Sequence, residues 1–105
     1  MKKLFLPLLC MFLAIAADAQ VLKKVSIKSA SASSENSSSE NAAKTIDGNY
    51  DTFWHSVWQN GKTNFPVTFT ITMAEEIHLD VVRYVPRQGN SNGNWGDVEV
   101  LYRNA

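Results

Sequence analysis

Three polar side chains with directional chemistry stand out in this sequence: His55, Arg87 and Asn92. Arg87 offers a planar fork of N–H donors that can span two adjacent hydroxyls. Asn92 donates and accepts at once, and His55 can accept from, or donate to, a third hydroxyl. Together with an aromatic face, such a set is what recognition of a neutral, hydroxyl-rich ligand requires. Trp58 and Trp95 are the candidates for that face, while Trp54 reads as core. Each residue also has a plainer use. His55 can be a hydrogen-bonded structural histidine, Arg87 a surface ion-pair partner of little energetic weight, and Asn92-Gly93 a common turn pair.

A second constellation is built from oxygens. Asp47, Asn49 and Thr52 lie close together around the turn signal Asp47-Gly48-Asn49, and they offer carboxylate, amide, hydroxyl and backbone carbonyl groups. Calcium takes about six to eight hard ligands of this kind. The plainer alternative is an Asx turn.

Catalytic constellations are weak by comparison. Glycoside hydrolysis uses two carboxyl groups across a cleft, but Asp47 and Asp51 share one small turn and Glu75-Glu76 reads as a solvated hairpin tip. No Gly-x-Ser-x-Gly elbow accompanies the many serines, and His55 and His78 lack the spacing of a zinc protease. The reading is therefore not an enzyme. Ten Lys+Arg balance ten Asp+Glu, which gives nucleic acid no electrostatic footing.

The elements that must carry these residues follow a leader. Lys2 and Lys3, the apolar stretch Leu4 to Ala17 and the Ala17-Asp18-Ala19 pattern predict a secretory signal peptide over residues 1–19, cleaved after Ala19. The stretch is too short for a bilayer core of ~30 Å, which takes about 20 helical residues. The one cysteine, Cys10, lies inside this leader behind Leu9, a poor fit to a lipoprotein signal. The mature chain, residues 20–105, is then free of disulfides and thiolate sites. It is expected to be secreted, periplasmic or at the cell surface.

Within it, Val21–Ile27 reads as a first strand, and the Ser/Ala/Asn-rich Ser29–Ser39 as a flexible linker or the first long loop of a β-sandwich. Glu40–Ile46 fits one short helical turn. Phe65–Met73 alternates apolar residues with threonines, as a half-buried strand does. Ile77–Val85 reads as another strand with a bulge near Val81 and Val82, Gly89–Gly96 as a polar loop and Asp97–Arg103 as a last strand. Short strands joined by polar loops predict an all-β sandwich or jelly roll.

Three segments, Ala42 to Ser56 with its Ile-Asp-Gly and Trp-His-Ser, Tyr84-Val85-Pro86-Arg87-Gln88, and Asn92-Gly93, together resemble the coagulation factor 5/8 type C, or discoidin, domain. Their wording is most similar to the family 32 carbohydrate-binding modules of bacterial secreted enzymes. The resemblance covers about Val25 to Tyr102. It implies a galactose-binding-domain-like jelly roll, of which this chain holds the N-terminal part and ends before the last strands. It also implies a non-catalytic module for terminal galactose or N-acetylgalactosamine, with His55, Arg87 and Asn92 at the sugar. The stacking aromatic of a late loop is absent, leaving Trp58 or Trp95 in its place. The family's structural calcium would lie at Lys44, through its carbonyl, with Asp47, Asn49 and Thr52, in a cage left incomplete by the missing C-terminal strand. A catalytic domain is the expected companion in a longer parent. The alternative is a structural, protein-binding or membrane-binding discoidin domain, although Lys62 is the only cation near Trp58 and Trp95 to attract anionic lipid.

Overall fold

The computed structural model describes residues 21–104; the expected signal peptide lies outside the described residues. Two strands, β1 (Ile27–Ala32) and β2 (Phe69–Met73), form an antiparallel sheet. The register pairs Ile27 with Met73 and Ala32 with Phe69, and one irregularity between Ile27 and Ser29 leaves Lys28 without an opposite residue. Two short 3₁₀ helices, Ser38–Glu40 and Ala42–Ile46, stand between the strands. They replace the single helical turn expected over Glu40–Ile46.

The first strand begins later than Val21–Ile27, the span its large apolar residues suggested. Val21 and Leu22 are exposed. The strand is made of small residues instead, Ser29 to Ala32, and Ala30 and Ala32 turn inward. Small side chains let the second 3₁₀ helix approach the sheet, and Ala42 on that helix is fully buried. The segment from Ser29 is thus no flexible linker. Beyond β1 the chain stays pinned: Ser33 N–H donates to the Thr68 carbonyl, and Thr68 N–H returns to the Ser33 hydroxyl.

The expected strand over Phe65–Met73 is realised only from Phe69. Pro66 cannot donate to a ladder, and Phe65 is largely exposed. Along β2 the alternation is visible at its ends: Phe69 and Met73 are half-buried while Thr70 and Thr72 are exposed. Neither Ile77–Val85 nor Asp97–Arg103 forms a strand among the described residues. A β conformation is held by ladder bonds to a neighbour, and these segments have none; Val81, Val82, Val98, Val100 and Tyr102 are exposed.

A chain of aromatic contacts, half-buried at Trp54, Phe69 and Trp95 and exposed at Tyr84, packs beside the sheet. Trp54 meets Phe69 edge-on at 5.2 Å, Phe69 meets Trp95 at 5.7 Å, and Trp95 stacks on Tyr84 at 4.5 Å with planes 12° apart. Offset and edge contacts of this kind are favourable beyond the area they bury.

Candidate functional site

The site grows out of Phe53-Trp54-His55. Trp54 is locked by packing on Phe69, at the start of β2, and by its indole N–H, which donates to the Ser34 carbonyl at 2.9 Å. The Ser34 hydroxyl accepts the Val57 N–H at 2.9 Å. The Thr63 hydroxyl donates to the Val57 carbonyl at 2.9 Å, so Ser34 must use its own proton toward Thr63, 3.1 Å away. These bonds fasten residues 54–63 to the chain leaving β1. With Trp54 fixed, its two neighbours are aimed elsewhere: Phe53 toward Arg87 and His55 into a cavity.

That cavity, of about 530 Å³, is lined by His55, Trp58, Arg87, Asn92 and Gly93, with Glu40 and Asn90 completing the wall. The His55 backbone is held on both sides, its N–H donating to the Glu40 carbonyl at 3.0 Å and its carbonyl accepting from Asn36 at 2.9 Å. The His55 Nδ1 lies 2.7 Å from the Ser56 carbonyl. A carbonyl only accepts, so Nδ1 carries a proton and the neutral ring keeps its lone pair on Nε2. Trp58 crosses the His55 ring edge-on at 6.1 Å, with its indole N–H donating to the Glu40 carboxylate at 3.0 Å.

The opposite wall comes from residues 84–95. Arg87 lays its guanidinium over the Phe53 ring, 3.9 Å from the centroid. A cation over an aromatic face is held by the ring quadrupole, which orients the fork without using its N–H donors. The Asn92 N–H donates to the Asn90 side-chain oxygen at 2.8 Å, an Asx turn that shapes the loop. Gly93 follows at φ +79°, and a Cβ there would stand 2.8 Å from His55 Nε2 and Cδ2. Glycine serves two ends at once here, a left-handed backbone and close approach to the histidine ring.

His55, Trp58, Arg87 and Asn92 therefore converge on one cavity. Trp95 does not join them; it belongs to the aromatic stack with Tyr84 and Phe69. Glu40 was not singled out by the sequence, because a lone glutamate in a serine-rich stretch carries no motif. The chemistry the site offers is hydrogen bonding: a fork donor, an imidazole acceptor, an amide, a carboxylate and an indole face.

The oxygen cluster lies on the turn after the second 3₁₀ helix. Asp47 accepts the Asn49 N–H at 2.9 Å, and Gly48 takes φ +75°, so the Asx turn is present. The Thr52 hydroxyl lies 2.6 Å from Asp47 Oδ2, 2.9 Å from the Asn49 carbonyl and 3.3 Å from the Lys44 carbonyl. The hydroxyl bond from Thr52, and then the Asn49 N–H, hold the Asp47 carboxyl below its ordinary value of 3.8. Asn49 faces the cluster with its backbone carbonyl, and its side-chain oxygen accepts from Asp51 N–H at 2.9 Å. The converging oxygens are hard and fit a calcium-like cation in type. Only one is a carboxylate oxygen, and no group of three His, Cys, Asp or Glu residues able to hold a metal occurs among the described residues.

This chain belongs to the F5/8 type C, or discoidin, domain family, which matches residues 29–105. Such domains are β-sandwiches and generally non-catalytic binding modules. Two galactose oxidase sequences of Gibberella zeae, one from strain PH-1, are each 46% identical to it over 59 residues. The match covers 54% of this chain and 9% of the oxidase. No solved structure matches it significantly. Among the described residues, no helix is long and apolar enough to cross a membrane.

Proposed function

We propose that this chain is an exported, non-catalytic carbohydrate-binding module that takes a terminal galactose-type sugar in the cavity between His55 and Arg87. The observation that carries the reading is the convergence of His55, Arg87, Asn92 and Trp58 on one open cavity. His55 Nε2 accepts from one hydroxyl, the Arg87 fork donates to two neighbouring oxygens, and Asn92 donates and accepts at the rim. Trp58 supplies the apolar face against the sugar ring. The likeness of 59 residues to a galactose oxidase supports a galactose-type ligand. The oxidase's own activity is not carried over, since the match spans 9% of that protein.

Each hydrogen bond to a hydroxyl replaces one to water and adds about 0.5–1.5 kcal/mol. A few such bonds and one aromatic face suggest a Kd in roughly the millimolar to micromolar range. A site built to bond an axial hydroxyl penalises its absence, so glucose should bind more weakly than galactose. A structural calcium would be held by Asp47, Thr52 and the carbonyls of Lys44 and Asn49, where it would brace the turn leading to Phe53-Trp54-His55. Glycan-array binding and galactose calorimetry on wild type, His55→Ala and Arg87→Ala test the reading. Equal binding by all three, or indifference of wild type to every galactose-type glycan, overturns it in favour of a structural or protein-binding domain. A membrane-inserting role is less well supported, because Trp58 spends its indole N–H on Glu40.

A further inference from the structure

Asn36 lies outside the cavity lining, yet its side chain touches what shapes one wall. Its Oδ1 accepts two backbone N–H groups, from Trp58 at 3.1 Å and Gln59 at 3.0 Å. Its Nδ2 donates to Glu40 Oε2 at 2.7 Å. The same Glu40 oxygen accepts the Trp58 indole N–H at 3.0 Å. Asn36 also donates its backbone N–H to the His55 carbonyl, and Glu40 accepts the His55 N–H with its own. The asparagine side chain thus fixes the main chain of Trp58 and the acceptor for its indole, while its backbone N–H holds the His55 carbonyl.

We propose that Asn36 is a positioning residue for the cavity: it holds Glu40 and the Trp58 loop in the geometry that presents Trp58 and His55 to a ligand. Where it concerns affinity, this rests on the sugar-binding reading above; where it concerns Trp58, it stands without a ligand. An amide serves this place at every pH. The Oδ1 must accept from two N–H groups and the Nδ2 must donate to a carboxylate, so an ionised acid lacks the donor and a hydroxyl offers one atom where two are used. The bond to Glu40 has a charged acceptor, and such bonds are the stronger kind.

Asn36→Asp is the discriminating change. It keeps the oxygen that accepts from Trp58 and Gln59 and nearly the same shape. It removes the donor to Glu40 and sets two carboxylates at hydrogen-bond distance. Like charges that close cannot both ionise cheaply. When both are ionised, Glu40 is pushed off and the Trp58 indole loses its acceptor. When one proton is shared, the bridge re-forms. The variant should therefore acquire a pH dependence beyond that of wild type. The other titratable groups nearby are His55 and Arg87, which share the cavity with Glu40, and Glu35, whose carboxylate accepts the Ala42 N–H. All are common to variant and wild type, so each comparison is made at equal pH.

The full chain is used, with the Trp58 indole N–H resonance assigned through Trp58→Phe. In the absence of sugar, the Asn36→Asp resonance should match wild type near pH 4.5 and depart from it near pH 8. Galactose affinity relative to wild type should fall roughly tenfold at the higher pH and recover at the lower, the scale expected for one charge-assisted bond. Asn36→Ala should be displaced at both. An indole resonance that follows wild type at both pH values in Asn36→Asp overturns the proposal. If wild type binds no galactose-type sugar while the variant's indole still shifts with pH, the positioning role stands and the sugar reading falls.

Discussion

Replacing Gly93 with alanine separates two costs that the structure places at one residue. The first belongs to the backbone. Gly93 sits at φ +79° and Gly89 at φ +73°, and a side chain in the left-handed region costs roughly 1–2 kcal/mol. Both Gly93→Ala and Gly89→Ala bear that cost. The second is steric and belongs to Gly93 alone. Its Cβ would lie 2.8 Å from two atoms of the His55 ring, whereas at Gly89 nothing stands within 4 Å. Ordinary contact is about 3.5–4.0 Å, so the ring must retreat by about 0.7 Å or more. It cannot do so freely, because Nδ1 is bonded to the Ser56 carbonyl at 2.7 Å. Overpacking of this kind costs about 1–3 kcal/mol. Gly93→Ala should thus lose roughly 2–5 kcal/mol of stability against roughly 1–2 for Gly89→Ala. Because the displaced atom is Nε2, galactose affinity should also fall about two- to tenfold in Gly93→Ala, the worth of one hydrogen bond, and change little in Gly89→Ala. Denaturant unfolding and galactose calorimetry on the pair measure both effects. Equal losses of stability and of affinity in the two variants would refute the contact between loop and histidine.

Other expectations follow from the same geometry. Arg87→Ala should abolish detectable galactose binding, and Arg87→Lys should not restore it, since an ammonium neither forks nor lies flat on Phe53; calorimetry decides. Asp47 is held below 3.8 chiefly by the Thr52 hydroxyl. Its contribution to stability is present above its unfolded value and lost as pH falls through the lowered folded one. Thr52→Val should raise the Asp47 carboxyl toward its ordinary value, read by carbon NMR titration; an unmoved midpoint would discount the hydroxyl bond. Millimolar calcium should raise the unfolding temperature of wild type and leave Asp47→Asn unchanged. A shift of equal size in both would place the cation elsewhere.

The sequence made the turn around Gly48 legible because Asx turns are local: Asp47 and Asn49 bond to backbone two residues on. The inward face of Phe69–Met73 was legible through its alternation with threonine. The first strand was not, because its inward positions are Ala30 and Ala32 rather than large apolar residues. The same period of two continues through Ser34 and Asn36, both half-buried. Polar residues used as anchors look, in one dimension, like a linker. Ile77–Val85 and Asp97–Arg103 have the pattern of strands, but a strand is a relation between segments and no ladder partner faces them among the described residues. The residues lining the cavity were approachable by chemical type, since Arg, His and Asn are conspicuous donors and acceptors. Glu40 and Asn36 escaped notice because their roles arise from contacts across the chain. Trp58 and Trp95 could not be told apart by sequence; their separation follows from Tyr84, which stacks on one of them.

The segment 84–95 is tied to itself more than to the rest of the protein. Among the described residues, its hydrogen bonds run from Asn94 to Ser91, from Asn92 to Asn90, from Gln88 to Pro86 and from Trp95 to Tyr84. Among the described residues it meets the rest of the protein by packing, through Arg87 on Phe53, Trp95 on Phe69 and Gly93 beside His55. A molecule bonded to His55 on one side and to Arg87 and Asn92 on the other therefore acts as a clasp between two parts of the chain. Anything that binds the folded state alone stabilises it by mass action. Here that gain should be concentrated in one place, as slowed amide exchange over residues 84–95, so that occupancy changes how firmly the loop is fastened as well as whether a ligand is held.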